Sequence, residues 1–468
     1  MPPPNLSEKL ASIRGVRLAN SSSTWDISFD YPPDSPHGII KSITPHDTHS
    51  SSQRTSQPAL ALPSLTHPHI HLDKAFIHNE PRNAHRLPLT GSFQEALSLT
   101  AAAKQDFTLP DLLRRGEWLL AESVSAGVTA MRAFVEVDHT VGLKCVEAAV
   151  TLKKQWHNAC EMQIVCFAQD PIFSTDYGDE NTRLMEQALE KYPQIDVIGT
   201  TPYVETSLEA AKKNIDWAVD RALQLDKHLD FHLDYHLDTE KEALMWYVLN
   251  TLIQRGWNTH STRNQVMLGH CTRMTLFTSS EWQKLAQLIH THDVPVSFVG
   301  LPTSDLYMAS PPHQPDTQHL ARGTLQIPEL IRRYGLDGVL GMNNLGNAFT
   351  PWGSADPLQL ACLGVGVYQA GTRTDTELLY ECVSTRARAA IGLAELEQSL
   401  MLWEGQEANL VLFCDRDETG CGVSRPRGSV AETVWDPPGR LARDVVFCGR
   451  LGISGLAGPR DAMYRFLP

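Results

Sequence analysis

The chain lacks features that mark several classes of protein. It has no window of about 18 uncharged apolar residues, the length that a membrane-spanning helix needs. Residues 1–15 contain no apolar run that could form the core of a signal peptide. From these absences we expect a cytoplasmic protein without a membrane partner.

A surplus of basic residues is also lacking. The chain has 40 Lys and Arg against 54 Asp and Glu, which gives a formal net charge of -14. Because nucleic acids attract proteins with a basic surplus or a basic stripe, this balance argues against a nucleic-acid partner. A small molecule is the expected partner, and a homo-oligomer is left open.

Cysteines with metal-binding or redox spacing are absent. The nine cysteines are scattered between residues 145 and 448 without a CxxC pair. An odd, scattered set fits neither a disulfide framework nor a structural zinc cage. We expect most of them to be small buried side chains.

The chain does have a pattern that changes along its length. Both ends contain short strand-like runs, whereas the middle alternates strands with helical segments that begin at capping residues, such as Thr108 with Asp111 and Thr206 with Glu209. Such alternation is typical of βα units and a parallel sheet. Eight strands are predicted, at 64–70, 128–134, 163–168, 195–199, 228–233, 265–269, 294–299 and 338–342.

Eight strands with intervening helices predict an α/β fold, a (β/α)8 TIM barrel. The length of 468 residues leaves room for a second, smaller domain. Because the active site of such a barrel lies where its strands end, the residues at predicted strand ends are the first candidates for function.

Four histidines fall at those ends. His69 and His71 alternate in an extended segment, so their side chains point to one face and can share a metal ion. His232 ends the fifth predicted strand and His270 follows the sixth. A lone HxH pair is more often structural than metal-binding, but four histidines at one barrel mouth favour a metal or proton-transfer site.

At these residues the sequence resembles a known family. The segments THPHIHLDKAF, GHCTRM and GMNNLGNAFTPWG, together with His232, are similar to the amidohydrolase superfamily, in particular its cytosine-deaminase-like branch. The likeness covers almost the whole chain. It implies a hydrolase barrel at 63–397 and a small β-sandwich domain formed by the terminal segments 1–62 and 398–468.

The resemblance also implies roles for individual residues. His69, His71 and His232 match the ligands of a single divalent metal, zinc or iron. His270 matches the histidine that contacts the attacking water or the substrate. Gln169 matches a side-chain amide that reads the substrate ring.

Three positions depart from the family pattern. The family has a proton-shuttling Glu where this chain has Tyr235, and a metal-binding Asp where it has Asn343, which is followed by Asn344. Phe134 stands where a His is usual. Asn343 can still offer a metal its neutral amide oxygen, with weaker binding expected. Tyr235 is mostly protonated at neutral pH, because its reference pKa is about 10.

Structural alternatives compete with several functional assignments. Asp234 precedes a helix predicted at 239–249 and can cap it. Trp352 can cover a planar substrate or merely pack its own loop. The candidates besides the metal ligands His69, His71, His232 and Asn343 are thus catalytic residues (His270, Tyr235, Asp234) and substrate contacts (Gln169, Asn344, Trp352).

Two functions remain open. The first is a metal-dependent hydrolase that acts on a C–N bond of a cyclic, nitrogen-containing small molecule, by deamination or ring hydrolysis. The alternative is an amidohydrolase scaffold that has lost the family carboxylates and catalyses a non-hydrolytic step (isomerisation, cyclisation or condensation) or only binds a ligand. We expect the first, because the resemblance makes the general activity of the family the default.

Overall fold

The computed structural model describes residues 8–35, 37–47, 57–309, 322–395, 399–454 and 463–467. In these ranges the strands form two sheets. They are β1 (Leu10–Leu18), β2 (Thr24–Asp30), β3 (Ile39–Pro45), β4 (Leu60–Pro63), β5 (Leu65–His71), β6 (Val128–Glu136), β7 (Glu161–Ala168), β8 (Ile195–Thr200), β9 (His228–Leu233), β10 (Val266–His270), β11 (Val296–Gly300), β12 (Asp337–Leu340), β13 (Leu410–Phe413), β14 (Arg443–Phe447), β15 (Arg450–Ser454) and β16 (Tyr464–Phe466).

The α-helices lie mainly between the strands of the second sheet. They are α1 (Phe93–Lys104), α2 (Leu109–Ala126), α3 (Lys144–Trp156), α4 (Gly178–Lys191), α5 (Leu208–Gln224), α6 (Met245–Gln254), α7 (Ser279–Thr291), α8 (Pro302–Met308), α9 (Ile327–Tyr334), α10 (Pro357–Val367), α11 (Arg373–Glu381), α12 (Thr385–Ala390) and α13 (Val430–Trp435). Among those described, none combines the length and apolarity that a membrane crossing needs.

Strands β5 to β12 form a parallel eight-stranded barrel in chain order. It closes through Asn343, three residues after β12: its backbone N–H donates to His69 O at 3.0 Å, and the N–H of His71 donates to Asn343 O at 2.8 Å. This confirms the predicted barrel, and every predicted strand agrees with an observed one to within two residues at each end.

Helices cover the barrel strands from outside, so the strands are buried on both faces, as is usual for parallel sheets. All nine residues of β6 are buried. The preceding helix α2 begins where Thr108 Oγ1 accepts the N–H of Asp111 and ends at Gly127, whose φ of 107° favours glycine. Its apolar face, which includes Leu119 and Val124, lies in the core shared with the barrel.

The other sheet has the order β15-β14-β13-β4-β1-β2-β3, with β16 paired to β1. Strands from both ends of the chain meet in it, since β13 lies antiparallel to β4. The sheet has an apolar cluster of its own, which includes Ile13, Ile27 and Leu410. The terminal segments therefore form one β domain, as predicted, and the expected sandwich takes the form of a single continuous sheet.

A buried ion pair joins the β domain to the barrel. Arg443 on β14 is fully buried, and its Nη2 lies 2.7 Å from Oδ2 of Asp356, the residue that caps α10. Its Nη1 also donates to the carbonyl oxygen of Ala126 at 2.7 Å. The guanidinium thus contacts two helices of the barrel from a strand of the β domain.

Candidate metal site

Three imidazole rings meet inside the mouth of the barrel. Nε2 of His69 and Nε2 of His71 lie 3.2 and 3.1 Å from Nε2 of His232. A tetrahedral zinc site with Zn–N bonds of about 2.0–2.1 Å places its nitrogens roughly 3.3 Å apart, so the observed spacing fits a metal ion. Burial lowers the pKa of each ring well below its usual range, which leaves the rings neutral with lone pairs to donate.

The strands and two phenyl rings position this cluster. His69 and His71 occupy alternate positions at the end of β5, so their side chains point to the same face. Phe134 on β6 packs against His69 with ring centroids 4.0 Å apart. Phe167 on β7 packs against His232 at 4.4 Å. Phe134 stands at the position where the family usually has a His. Together with Phe167, it forms an apolar surface against which the histidine rings pack.

Asn343 supplies a fourth polar atom. Its φ of 61° places it in the left-handed region, which asparagine tolerates better than most residues. Nδ2 donates to Ser304 Oγ at 2.9 Å, which fixes Oδ1 as the other atom of the amide. Oδ1, which is buried, has no hydrogen-bond partner within the described residues. An amide oxygen in this position fits a fourth metal ligand.

His270 is held above the cluster by a carboxylate. Its Nδ1 lies 2.8 Å from Oδ1 of Asp305 in α8. Oδ2 of Asp305 accepts the N–H of Leu301 at 3.2 Å and the hydroxyl of Thr324 at 2.8 Å. Because a carboxylate only accepts, Nδ1 of His270 is the donor, and Nε2 has no hydrogen bond to any of the described residues. The ring centroid lies 5.1 Å from that of His232.

Tyr235 stacks on His270 and does not present a free hydroxyl. The two ring centroids are 3.8 Å apart at an angle of 22°. Its hydroxyl donates to the carbonyl oxygen of Ser304 at 3.0 Å. Burial raises the pKa of Tyr235 well above its usual value. Here the ring packs against the catalytic candidate, and the proton stays on the hydroxyl.

Asp234 has a structural partner for each carboxylate oxygen. Oδ1 accepts the N–H of Leu244 at 3.1 Å, and Oδ2 accepts the N–H of Met245 at 3.2 Å. These contacts cap α6, which starts at Met245 and not at residue 239 as the sequence predicted. Burial raises the pKa of Asp234 to about 7, a value suited to proton transfer, but its oxygens are used by the backbone.

Gln169 is paired with a buried cation. Lys74 Nζ donates to Gln169 Oε1 at 3.1 Å and forms an ion pair with Glu136 at 2.7 Å. Its Nζ also lies 5.7 Å from the ring centroid of Phe167, which contacts the histidines. Burial by itself would raise the pKa of Glu136. The ammonium groups of Lys104 and Lys74 outweigh this effect and hold the pKa of Glu136 at about 2. Because Oε1 of Gln169 accepts from Lys74, its amide nitrogen is the group that can donate to another partner.

The remaining two substrate candidates lie apart from the histidines. Asn344 is buried and its Oδ1 accepts the Nδ2 of Asn347, within the loop that follows β12. Trp352 is 46% exposed and lines a pocket of about 530 Å³ together with Arg440 of the β domain. The structure brings neither one into contact with the three imidazoles among the contacts it describes.

A pocket of about 380 Å³ lies over Tyr235. Its walls come from Gly91 in the loop before α1, from Phe93 at the start of α1, and from Tyr307 and Arg322. The ring centroid of Phe93 lies 5.7 Å from that of Tyr235 and 5.9 Å from that of Phe349. Aromatic rings therefore lie beside this pocket, next to Tyr235, whose ring stacks on His270.

Sequence reasoning missed the residues that support the histidines. Asp305 lies in the first turn of a helix, where an acidic residue is ordinarily taken as a response to the helix dipole. Asp230 lies two residues before His232 on β9, in line with it on the same face, and that spacing was a usable signal. Burial raises the pKa of Asp230, and the adjacent guanidinium of Arg132 opposes that rise.

The chain matches no family model and no curated protein sequence. Solved structures match nearly its whole length. One is 5-methylcytosine deaminase from Klebsiella pneumoniae liganded with 5-fluorocytosine, with a TM-score of 0.76, 21% identity, and coverage of 95% of this chain and 97% of that chain.

Two further structures extend the comparison. N-isopropylammelide isopropylaminohydrolase from Burkholderia multivorans matches with a TM-score of 0.69 and 21% identity over 94% of this chain and 97% of that chain. A mutant of atrazine chlorohydrolase from Arthrobacter aurescens complexed with zinc and atraton matches with a TM-score of 0.63 and 16% identity over 95% of each chain.

These likenesses establish the fold. The chain shares its architecture, a barrel joined to a β domain, with these deaminases and hydrolases, in agreement with the fold that the sequence resemblance implies. At the mouth of that barrel lies a cluster of three histidines with the spacing of a metal site.

Proposed function

We propose that the protein is a metal-dependent hydrolase that acts on a C–N bond of a cyclic, nitrogen-containing small molecule. The observation that carries the proposal is the convergence of His69, His71 and His232, with the free Oδ1 of Asn343 beside them. These four residues would hold one divalent ion, zinc or iron. When bound, such an ion lowers the pKa of water and polarises the bond to be hydrolysed.

His270 is the group proposed to accept the proton. Asp305 holds its Nδ1–H, so the lone pair on Nε2 is available toward the cluster. With Tyr235 and Asn343 at the positions of the family carboxylates, the His270–Asp305 pair is the acceptor whose geometry fits. Tyr235 keeps the imidazole in its plane by stacking.

The chemistry of the mouth indicates a planar substrate with hydrogen-bond acceptors. The ammonium of Lys74 and the amide nitrogen of Gln169 are donors, and two of the three Lys74 N–H groups are already used. Phe93 and Phe349 offer ring faces for stacking. The proteins of similar fold support this class, since the compounds they are named for are a pyrimidine and triazines.

The non-hydrolytic alternative is less well supported. An isomerisation by an acid–base pair would use Tyr235 and His270, yet the hydroxyl of Tyr235 is committed to the carbonyl of Ser304. The missing carboxylates are the main argument for that alternative. Because Tyr235 is not free to act as the acid or base, we retain hydrolysis as the proposal.

Metal analysis and turnover test the proposal together. The purified protein should contain close to one equivalent of divalent metal. It should release ammonia or an amine from pyrimidine or triazine substrates, stop on chelation and recover on readdition of the ion. His270→Ala should lose turnover, while Tyr235→Phe, which keeps the stacked ring, should retain most of it. Full turnover of metal-free protein would overturn the proposal.

A further inference from the structure

Two buried polar atoms face each other on the inner side of the histidine cluster. Nδ1 of His69 lies 3.9 Å from Oδ1 of Asp230, and both side chains are fully buried. Neither atom has a hydrogen-bond partner within the described part of the chain. Since a buried polar atom without a partner is unfavourable, the pair calls for an explanation.

The carboxylate of Asp230 is fixed from its other side. Arg132 Nη1 donates to Oδ2 of Asp230 at 3.2 Å. The same guanidinium donates to Gln163 Oε1 at 3.0 Å and to the carbonyl oxygen of Ile391 at 3.2 Å. Because these contacts hold the guanidinium, Oδ1 is the oxygen left to face His69.

Two glycines leave the space that the side chain of His69 occupies. A Cβ atom at Gly269 would lie 3.1 Å from Cε1 and 3.5 Å from Nδ1 of His69. A Cβ atom at Gly341 would lie 3.1 Å from Cβ of His69. With Phe134 against one face, the ring has little room to turn its Nδ1 edge away from Asp230.

We propose that Asp230 is a positioning residue that accepts a hydrogen bond from Nδ1 of His69 and so keeps Nε2 free to bind the divalent ion. A shortening of about 1 Å converts the present separation into a hydrogen bond. A neutral imidazole carries one proton, so an acceptor at Nδ1 places the lone pair on Nε2. The inference rests on the proposed metal-dependent function and assigns one of its supporting residues.

The substitution Asp230→Asn gives the sharpest test, because it keeps the size of the side chain. Arg132 requires an oxygen, so the amide places its NH2 toward His69. Nδ1 must then accept, and the proton moves to Nε2, where it competes with the ion. We expect zinc affinity to fall by about 10- to 100-fold, the usual effect of removing a partner of a metal-binding histidine.

The measurement is zinc affinity by competition with a chromophoric chelator, on metal-free protein that melts cooperatively. Asp305→Asn is the matched control: it makes the same change beside His270, which is not one of the three ligands, and should leave zinc affinity unchanged. If Asp230→Asn does not fold, the double variant Arg132→Met, Asp230→Leu removes both buried charges and should show the same loss.

The outcomes separate the two proposals. A wild-type protein that binds no zinc contradicts the proposed function, and the role of Asp230 with it. A wild-type protein that binds zinc, with equal binding by Asp230→Asn, contradicts the role of Asp230 alone. A lower melting temperature without a change in zinc affinity marks Asp230 as a structural partner of Arg132 and also overturns the inference.

Discussion

At the scale of single residues, one amide distinguishes this site from a carboxylate-bearing one. Asn343 closes the barrel with its backbone, donates its Nδ2 to Ser304 and leaves Oδ1 among the histidines. The proposed ligand set of three neutral imidazoles and an amide carries no negative charge. The ion therefore keeps its full positive charge, which weakens its binding.

Asn343→Asp should bind zinc more tightly than the wild type. The carboxylate adds a negative charge at the position of Oδ1, while its other oxygen can accept the hydroxyl of Ser304. We expect a gain on the order of tenfold, which corresponds to about 1.4 kcal/mol. Chelator competition measures it, with Asn344→Asp as the control in the next residue. Unchanged affinity in Asn343→Asp would show that position 343 does not ligate the ion.

The sequence identified the histidines but not their partners, for a physical reason. His69, His71 and His232 stand at strand ends, where the period of two and the barrel geometry predict both location and direction. Asp305 meets His270 only because α8 folds back across the end of β10. Such a contact depends on tertiary packing, which no local pattern contains.

At the scale of elements, capping decides where the helices begin. Thr108 caps α2 as predicted, but α5 is capped by Ser207 and not by Thr206. The N–H of Thr206 donates to Ser174 Oγ, which holds that residue outside the helix. The observed start of α5 thus differs from the predicted one, because a neighbouring loop accepts the backbone N–H of Thr206.

Asp234 provides a test of capping against catalysis. Asp234→Ala removes the acceptor of two backbone N–H groups at the start of α6. We expect a loss of about 1–2 kcal/mol in the free energy of unfolding, measured with urea, because a cap is lost. Turnover of the folded variant should persist. A loss of turnover without a loss of stability would instead support the catalytic role that the sequence suggested.

The loop before α1 should respond to pH. The Glu95 carboxylate accepts the N–H groups of Leu89, Thr90 and Gly91, and these hydrogen bonds, that of Leu89 first, lower its pKa to about 2. Because the pKa of Glu95 is lower in the folded protein, the carboxylate stabilises the loop fully at a pH above its ordinary pKa of 4.5. This stabilisation is lost as the pH falls toward 2.

Since Gly91 and Phe93 line the pocket over Tyr235, acid should loosen the wall of that pocket. Hydrogen-exchange protection at 89–91 should fall below about pH 4.5, and Glu95→Gln should show that loss already at neutral pH. Glu281→Gln, at the capping box of α7, is the matched control and should loosen only its own helix. Full protection of 89–91 in Glu95→Gln would contradict this account.

At the scale of the whole molecule, the β domain and the barrel are one folded unit. The order of the strands places both chain ends in one sheet, which no single cut of the sequence can separate. That arrangement was inferred from the resemblance, since two distant β segments do not by themselves indicate that they pair. The Arg443–Asp356 pair shows how the sheet is fastened to the barrel.

Removal of Arg443 should therefore lower the stability of the β domain and the barrel together. Arg443→Met leaves Asp356 buried without its partner, and breaking a buried ion pair in this way costs about 3–5 kcal/mol. We expect urea unfolding to shift by that amount in a single transition, with zinc affinity unchanged once the protein is folded.

Asp356→Asn should cost less, because the amide still caps α10 and accepts from Arg443. The double variant Arg443→Met, Asp356→Asn should lose less than the sum of the two, since the pair is coupled. Independent unfolding of the β domain, seen as a second transition, would contradict the single unit.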